Sequence, residues 1–130
     1  MAIITRFQEL DCWKKARDFE NFVFSLNQKG PFLKDFAHKD QINKSTGSVM
    51  DNIAEGFCRG GNKEFVNFLI YSRASAGESQ SQLYRALDRK YITLEEFEIS
   101  FLKSEQVITS LTNFINFLKT KINISYRKTV

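Results

Sequence analysis

Few residues in this sequence have the types and spacing that acid–base chemistry or metal binding requires. Its single histidine, His38, follows Asp35 by three positions. A carboxylate three residues before a histidine is one element of a di-iron site in a helical bundle, but such a site needs two of these elements and further glutamates from facing helices. Because the chain has one histidine, we predict no metal site and no cofactor.

The two cysteines also predict no reactive site. Cys12 and Cys58 are far apart and show neither the Cys-x-x-Cys spacing nor the neighbouring histidines of a metal site. One histidine and two isolated thiols do not place a base beside a nucleophile, as catalysis by either group requires. We therefore predict that the protein is not an enzyme and that both cysteines are buried free thiols.

The most informative polar residues are Asn52, Glu55 and Arg59, which are spaced by three and four positions. In a helix this spacing places them along one face, where Glu55 and Arg59 can form an ion pair. Gly56 lies in the same run. We predict that these four residues have a structural role, as a polar lock between helices or between subunits. Ligand binding by the same residues is the alternative.

The spacing of apolar residues predicts four helices, and no segment shows the alternation of a strand. A Gly-Pro pair at 30–31 and a Gly-Gly pair at 60–61 separate the first three helices, and Thr93 with Glu96 forms the signature of a capping box at the start of the fourth. The length of 130 residues is typical of one domain, here residues 1–130. The predicted fold is all-α, an antiparallel up-down four-helix bundle with helices at about 9–27, 38–57, 62–89 and 93–120.

Small residues are concentrated at the centres of the second and third predicted helices. They allow these two helices either to pack directly against each other or to receive aromatic rings from the first and fourth. Glycine inside a helix is less favourable than alanine by about 1 kcal/mol. We therefore expect Gly47, in the middle of the second helix, to lie where a bulky side chain crosses it.

The fourth predicted helix has a wide apolar face. Its three- and four-residue apolar spacing runs from Leu94 to Leu118, and Phe114 and Phe117 lie beside it. An apolar face that is wider than its intramolecular partners is typical of an association surface. We therefore expect the protein to form a homo-oligomer.

Basic charge is concentrated at the end of the chain. The formal charge is +4, from 19 Lys and Arg against 15 Asp and Glu. A basic tail from about residue 119 supplies this excess, and repetition of the tail in an oligomer would attract nucleic acid. A solvated terminus without a ligand is the alternative. The candidate nucleic-acid-binding residues are Lys119, Lys121, Arg127 and Lys128 in the tail, with Arg59, Lys63, Arg85, Arg89 and Lys90 as further candidates.

Nearly the whole chain resembles the four-helix-bundle family of proteins encoded within intervening sequences of bacterial 23S ribosomal RNA genes. The most specific shared residues are the run Asn-Ile-Ala-Glu-Gly at 52–56 and the downstream Arg59. The similarity begins in the run 7–16, with its phenylalanine, leucine, tryptophan and alanine, and ends in the serine- and glycine-rich run 75–83. The family is related to the accessory variability proteins of diversity-generating retroelements.

The resemblance implies an up-down bundle that assembles into a homopentameric ring. For the retroelement relatives it also implies a basic surface that contacts nucleic acid and a reverse transcriptase. It implies no activity for the ribosomal relatives.

These observations favour a non-catalytic oligomeric adaptor that contacts RNA or DNA, RNA in the first place, through summed basic charge. The alternative is a scaffold that recruits a helix of another protein without nucleic acid. No apolar run reaches the roughly 20 residues that cross a bilayer, and the first residues do not have the layout of a secretory signal. We therefore expect a cytoplasmic protein that does not contact a membrane.

Overall fold

A computed structural model describes the backbone of residues 3–129 and the side chains of residues 3–122. These residues form α-helices and no strand, so the all-α prediction is confirmed. One 3-10 turn, Phe7–Glu9, precedes the first helix. The helices are α1 (Asp11–Leu26), α2 (Gly30–Lys34), α3 (Phe36–Arg59), α4 (Asn62–Asp88) and α5 (Leu94–Thr129). The four predicted helices correspond to α1, α3, α4 and α5.

The short helix α2 is not predicted by the apolar spacing. The Gly-Pro pair was expected only to separate two helices, but Pro31 also lies in the first turn of α2, where its fixed φ suits a helix. Gly30, the first residue of α2, has a φ of 61°, which lets the chain turn as it enters this helix. The side chain of Phe32 in α2 is fully buried, so this short helix covers one end of the core.

The ends of the longer helices follow local capping chemistry. The backbone N–H of Glu96 donates to Thr93 Oγ1 at 3.1 Å, and the backbone N–H of Thr93 donates to Glu96 Oε1 at 2.9 Å, so the predicted capping box is confirmed. Gly60, with a φ of 91°, ends α3. Helix α5 continues to Thr129 rather than ending at about residue 120, so the basic tail continues the helix.

Neighbouring helices run antiparallel. In α3 and α4, Ser45 pairs with Ser79 and Ser48 with Ser75, so residue numbers fall along α4 as they rise along α3. In α1 and α5 the residues close to one another show the same order, from Asp11 with Ser110 to Asp18 with Lys103. The core lies between the helices and consists of one buried stripe from each: Ala16, Phe19 and Val23; Ile42, Val49 and Ile53; Leu69, Ala76 and Leu83; and Val107, Leu111 and Ile115.

Gly56, and not Gly47, is the position where a bulky neighbour approaches α3. A Cβ atom at Gly56 would lie 2.5 Å from Phe68 Cβ and 2.9 Å from Phe65 Cδ1. A Cβ atom at Gly47 would meet no atom within 4 Å. The prediction for Gly47 is wrong because this residue lines an open groove on the outer side of α3 rather than the contact with α4.

None of the helices in the described part of the chain is long and apolar enough to cross a membrane.

The two glycines of α3 predict opposite effects of the same substitution. Gly56→Ala would force Phe65 and Phe68 to shift and should destabilise the protein by about 1–3 kcal/mol. Gly47→Ala is the matched control in the same helix, and it should stabilise the protein by up to about 1 kcal/mol because alanine favours the helix. Urea unfolding of both variants measures the difference. Equal stability of the two variants would contradict the close packing at Gly56.

Candidate functional site

Asn52, the first residue of the polar motif of Asn52, Glu55, Gly56 and Arg59, reaches α4 through a serine pair. Its side-chain amide donates to the carbonyl oxygen and to the Oγ of Ser48, both at 2.8 Å. The Oγ of Ser48 lies 3.0 Å from the Oγ of Ser75 in α4. Asn52 therefore holds the hydroxyl group that links the two helices.

Arg59 of the same motif joins the end of α3 to the first turn of α4. Its guanidinium donates to Glu55 Oε1 at 3.0 Å and to Glu64 Oε1 at 3.4 Å, and it lies over the ring of Phe68, 5.3 Å from the centroid. The hydrogen bond that Arg59 donates to Glu55, followed by the charge of Glu64, raises the pKa of Arg59. The predicted Glu55–Arg59 ion pair is confirmed. With Gly56 against Phe68, the motif makes contacts within one subunit, and an inter-subunit role stays a prediction.

A buried ladder of hydroxyl and amide groups extends the contact between α3 and α4. Ser79 Oγ donates to Ser45 Oγ at 2.8 Å, and Ser45 Oγ donates to Gln82 Oε1 at 2.5 Å. Ser72 Oγ donates to the carbonyl oxygen of Val49 at 2.6 Å. The small residues of these helices therefore meet directly at these positions. Their spacing in the sequence had left open whether the two helices would pack directly or receive aromatic rings, and it did not show the hydrogen bonds.

His38 is buried at the opposite end of α3 from this motif. Its Nε2 lies 2.9 Å from the carbonyl oxygen of Gln82, so Nε2 carries the proton and donates it. Its Nδ1 has no hydrogen-bond partner among the described residues. The imidazole contacts the rings of Phe32 and Tyr91, with centroids 4.9 Å and 5.8 Å away. We call this cluster of Phe32, His38 and Tyr91 the histidine end.

The carboxylate of Asp35 has a structural role at the histidine end. It accepts hydrogen bonds from the backbone N–H of His38 at 3.1 Å and from the hydroxyl group of Tyr91 at 2.8 Å, and it pairs with Arg89 at 3.3 Å. The bond from Tyr91 is the main reason that the pKa of Asp35 is lowered. Asp35 and His38 thus cap a helix instead of facing one common ligand. Within the described residues, no three His, Cys, Asp or Glu side chains form a group that would hold a metal ion.

The two cysteines differ in exposure. Cys12 is buried, and burial raises the pKa of its thiol to about 12, so the thiol stays protonated and unreactive at neutral pH. Cys58 is exposed, so the prediction that both thiols are buried is wrong. Cys58 follows Gly56 by two positions, and this places its side chain away from the face of α3 that packs on α4.

The predicted nucleic-acid-binding residues lie at opposite ends of the bundle. Helix α4 has 27 residues, a length of about 40 Å. Lys63 is in its first turn, Arg85 is in its last turn, and Arg89 and Lys90 directly follow it. These residues therefore do not form one continuous surface, although their positions in the sequence had left that possible.

Three of the candidate arginines already have partners within the chain. Arg59 pairs with two glutamates, as described above. Arg85 donates to Gln41 Oε1 at 2.8 Å, and Arg89 pairs with Asp35. These hydrogen bonds tie α4 to α3, so the guanidinium groups would have to leave their partners to bind a phosphate.

A second group of candidate residues consists of exposed lysines near the start of α4. Phe114 of α5 packs on Phe65 of α4, with ring centroids 5.4 Å apart, so the end of α5 lies near Lys63. Lys63, Lys119 and Lys121 are exposed, and none forms an ion pair with a described side chain. We call these three lysines the basic end. The side chains of Arg127 and Lys128 lie outside those that the structure describes.

Comparison with known proteins identifies the family. The model of the 23S rRNA-intervening sequence protein family matches residues 8–113, so the chain belongs to this family and the predicted family is confirmed. A crystal structure of a protein with unknown function from the S23 ribosomal protein family of Bacteroides thetaiotaomicron is similar, with a TM-score of 0.72 and 24% identity over 80% of this chain and 97% of that chain. This similarity shows a shared fold. No curated protein matches the chain.

The buried imidazole predicts a loss of stability in mild acid. Burial is the largest cause that lowers the pKa of His38, with Arg85 and Arg89 adding to it against the opposing effects of Gln82 and Asp35. The unfolded chain therefore takes up a proton near pH 6.5 before the folded chain does, and the free energy of unfolding falls as the pH drops below that value.

Urea unfolding at pH 7.5 and pH 5.5 checks this prediction. His38 is the only histidine in the chain, so the variant His38→Gln should lose stability at pH 7.5 but show a flatter pH dependence than the unchanged protein. The same pH dependence in both proteins would contradict a buried neutral imidazole.

Proposed function

We propose that this member of the 23S rRNA-intervening sequence protein family is a non-catalytic, oligomeric adaptor that contacts nucleic acid, RNA in the first place, through its basic end. The observation that supports this proposal is the presence of exposed lysines that pair with no described acidic side chain, where α5 passes the turn between α3 and α4. Lysines of this kind bind phosphates and release the counterions that nucleic acid holds.

The length of α5 supports the same proposal. Phe114 lies level with Phe65, and α5 continues for another 15 residues to Thr129, a distance of about 22 Å. Helix α4 begins only three residues before Phe65. The last turns of α5 therefore continue beyond the start of α4, and they carry the excess basic charge of the chain. A projecting basic helix can contact several phosphates at once.

Self-association is the second part of the proposal. The antiparallel neighbours fit an up-down four-helix bundle, and the resemblance of the sequence implies that such bundles form a homopentameric ring. Five copies with a charge of +4 each would carry roughly +20. The basic ends of a ring would then act together, so weak contacts by single lysines would add up to firm binding.

A protein-binding scaffold is the alternative function. Leu102 of α5 is 59% exposed and Ile99 is 38% exposed, and neither residue is near the basic end. Exposed apolar residues on one helix face are typical of a surface that packs on another protein. This alternative requires no nucleic acid, so salt dependence separates the two functions.

The nucleic-acid contact predicts a charge-specific loss of affinity. The double variant Lys63→Gln/Lys119→Gln removes two lysines of the basic end, and Lys14→Gln/Lys34→Gln removes the same charge from exposed sites elsewhere. Binding to single-stranded RNA and DNA is measured between 50 and 200 mM salt. We expect the slope of log affinity against log salt to fall by about 0.7 for each lost phosphate contact in the first variant only.

Two outcomes would contradict this proposal. One is tight binding that does not depend on salt, and the other is an equal loss of slope in both double variants. If the protein binds neither RNA nor DNA at low salt, the scaffold function is favoured instead.

A further inference from the structure

An apolar groove of 720 Å³ opens between the beginning of α1 and the middle of α5. Its apolar wall consists of Ile4, Leu10, Cys12, Leu102 and Phe114, and the charged residues Asp11, Lys15 and Glu105 also line it. Leu102 is 59% exposed and Ile4 is 45% exposed. No described side chain of the same subunit covers these two residues, although each presents a large apolar surface to water.

The groove borders a long face of α5 that carries no charge. This face contains Ile99, Leu102, Gln106, Asn113 and Phe117, which follow one another at spacings typical of a single side of a helix. All five are exposed. The solvent face of a surface helix normally carries charged residues. An uncharged outer face about 27 Å long is therefore incomplete in one subunit.

Charged residues stand at both ends of this face, and they have opposite signs. Glu95 lies one turn before Ile99, and Lys121 lies one turn after Phe117. Neither forms an ion pair with a described side chain, and the ammonium group of Lys121 lies 5.2 Å from the ring centre of Phe117. The face is thus acidic at its beginning and basic at its end. Lys103 lies on the same side of α5 as Lys121, five turns before it, but its charge is paired with Asp18 of α1 at 2.6 Å.

We infer that this face of α5 packs antiparallel on the same face of a second copy of the chain. An antiparallel pairing that brings Glu95 opposite Lys121 of the partner subunit also brings Ile99 opposite Phe117 of the partner subunit. In the same register, Leu102 lies opposite Phe114 of the partner subunit, so each groove receives the exposed leucine of the other copy. A parallel pairing would instead place Glu95 against Glu95 and Lys121 against Lys121, which repel.

The contact is two-fold symmetric, because each copy offers the same surface to the other. It deepens the self-association part of the proposed function and rests on that part, and it uses one lysine of the basic end, Lys121. Lys119 follows Phe117 by two positions and therefore points to the other side of α5, so Lys63 and Lys119 remain available to phosphates. A two-fold contact does not itself close a ring of five subunits, but it joins two copies, or two rings, into one assembly.

The first test changes the centre of the face. Leu102→Glu should halve the molar mass of the assembly in sedimentation experiments, whatever its total number of subunits. Tyr71→Glu is the matched control, because Tyr71 is 58% exposed on α4, away from the face. Circular dichroism checks that both variants are folded. An unchanged mass for Leu102→Glu would overturn the inference, as would a chain that stays monomeric at high concentration.

The second test changes the charges at the ends of the face. Glu95→Lys and Lys121→Glu should each weaken the association about tenfold at low salt, because each substitution creates two like-charged pairs per dimer. The double variant Glu95→Lys/Lys121→Glu restores both pairs and should restore the affinity. A double variant that associates as weakly as the single variants would overturn the antiparallel register. Salt-dependent binding of RNA, measured separately, tests the nucleic-acid function whether or not this contact forms.

Discussion

The rest of the structure depends on the close contact between α3 and α4. Phe68 of α4 lies so close to Gly56 that no side chain would fit at this position of α3. Elsewhere in the contact the hydroxyl groups of small residues such as Ser45 and Ser79 meet, where larger apolar residues would hold the helices apart. A buried hydroxyl group without a partner is unfavourable by about 1–3 kcal/mol. A shift of one helix along the other would break these hydrogen bonds, so they favour the observed register of α3 and α4.

The features at both ends of the α3–α4 pair follow from that register. At one end it brings the carbonyl oxygen of Gln82 to the imidazole of His38, and at the other it brings Glu64 to Arg59. The polar residues whose types and spacing could have formed a reactive site therefore stabilise the contact between two helices.

Features set by local spacing could be predicted from the sequence. The capping box of Thr93 and Glu96 and the ion pair of Glu55 and Arg59 each involve residues three or four positions apart, and the structure confirms both. Helix α2 was not predicted because five residues carry too little periodic signal.

Features set by distant residues could not be predicted. The partner of Arg85 is Gln41, and the partner of Arg89 is Asp35, so these arginines looked free in the sequence although they are hydrogen-bonded in the fold. The glycine that meets an aromatic ring was also misplaced, because periodicity shows which helix faces are small but not where a ring from another helix lies. Gly56 is the position of close approach because Phe68 packs against it, and this contact follows from the tertiary structure alone.

Helix α5 differs from the α3–α4 pair in that one of its faces exposes large apolar side chains, among them those of Leu102 and Phe117. The match to the family ends at residue 113, before Phe117, Lys119 and Lys121. The fold of this chain is thus shared with its relatives, whereas Lys119 and Lys121 of the basic end lie beyond the matched residues. Helix α5 carries the apolar face and two of the three lysines of the basic end, and α4 carries the third.

Amide hydrogen exchange at low and high protein concentration tests this division of the molecule most directly. We predict that the slowest amides lie in the α3–α4 contact, around Ser45, Gly56 and Ser79, and that their rates do not change with concentration. Amides of α5 between Leu102 and Phe117 should exchange faster in dilute protein and slow down as copies associate. Rates in α5 that are independent of concentration, or α3–α4 amides that exchange as fast as those of α5, would contradict the account.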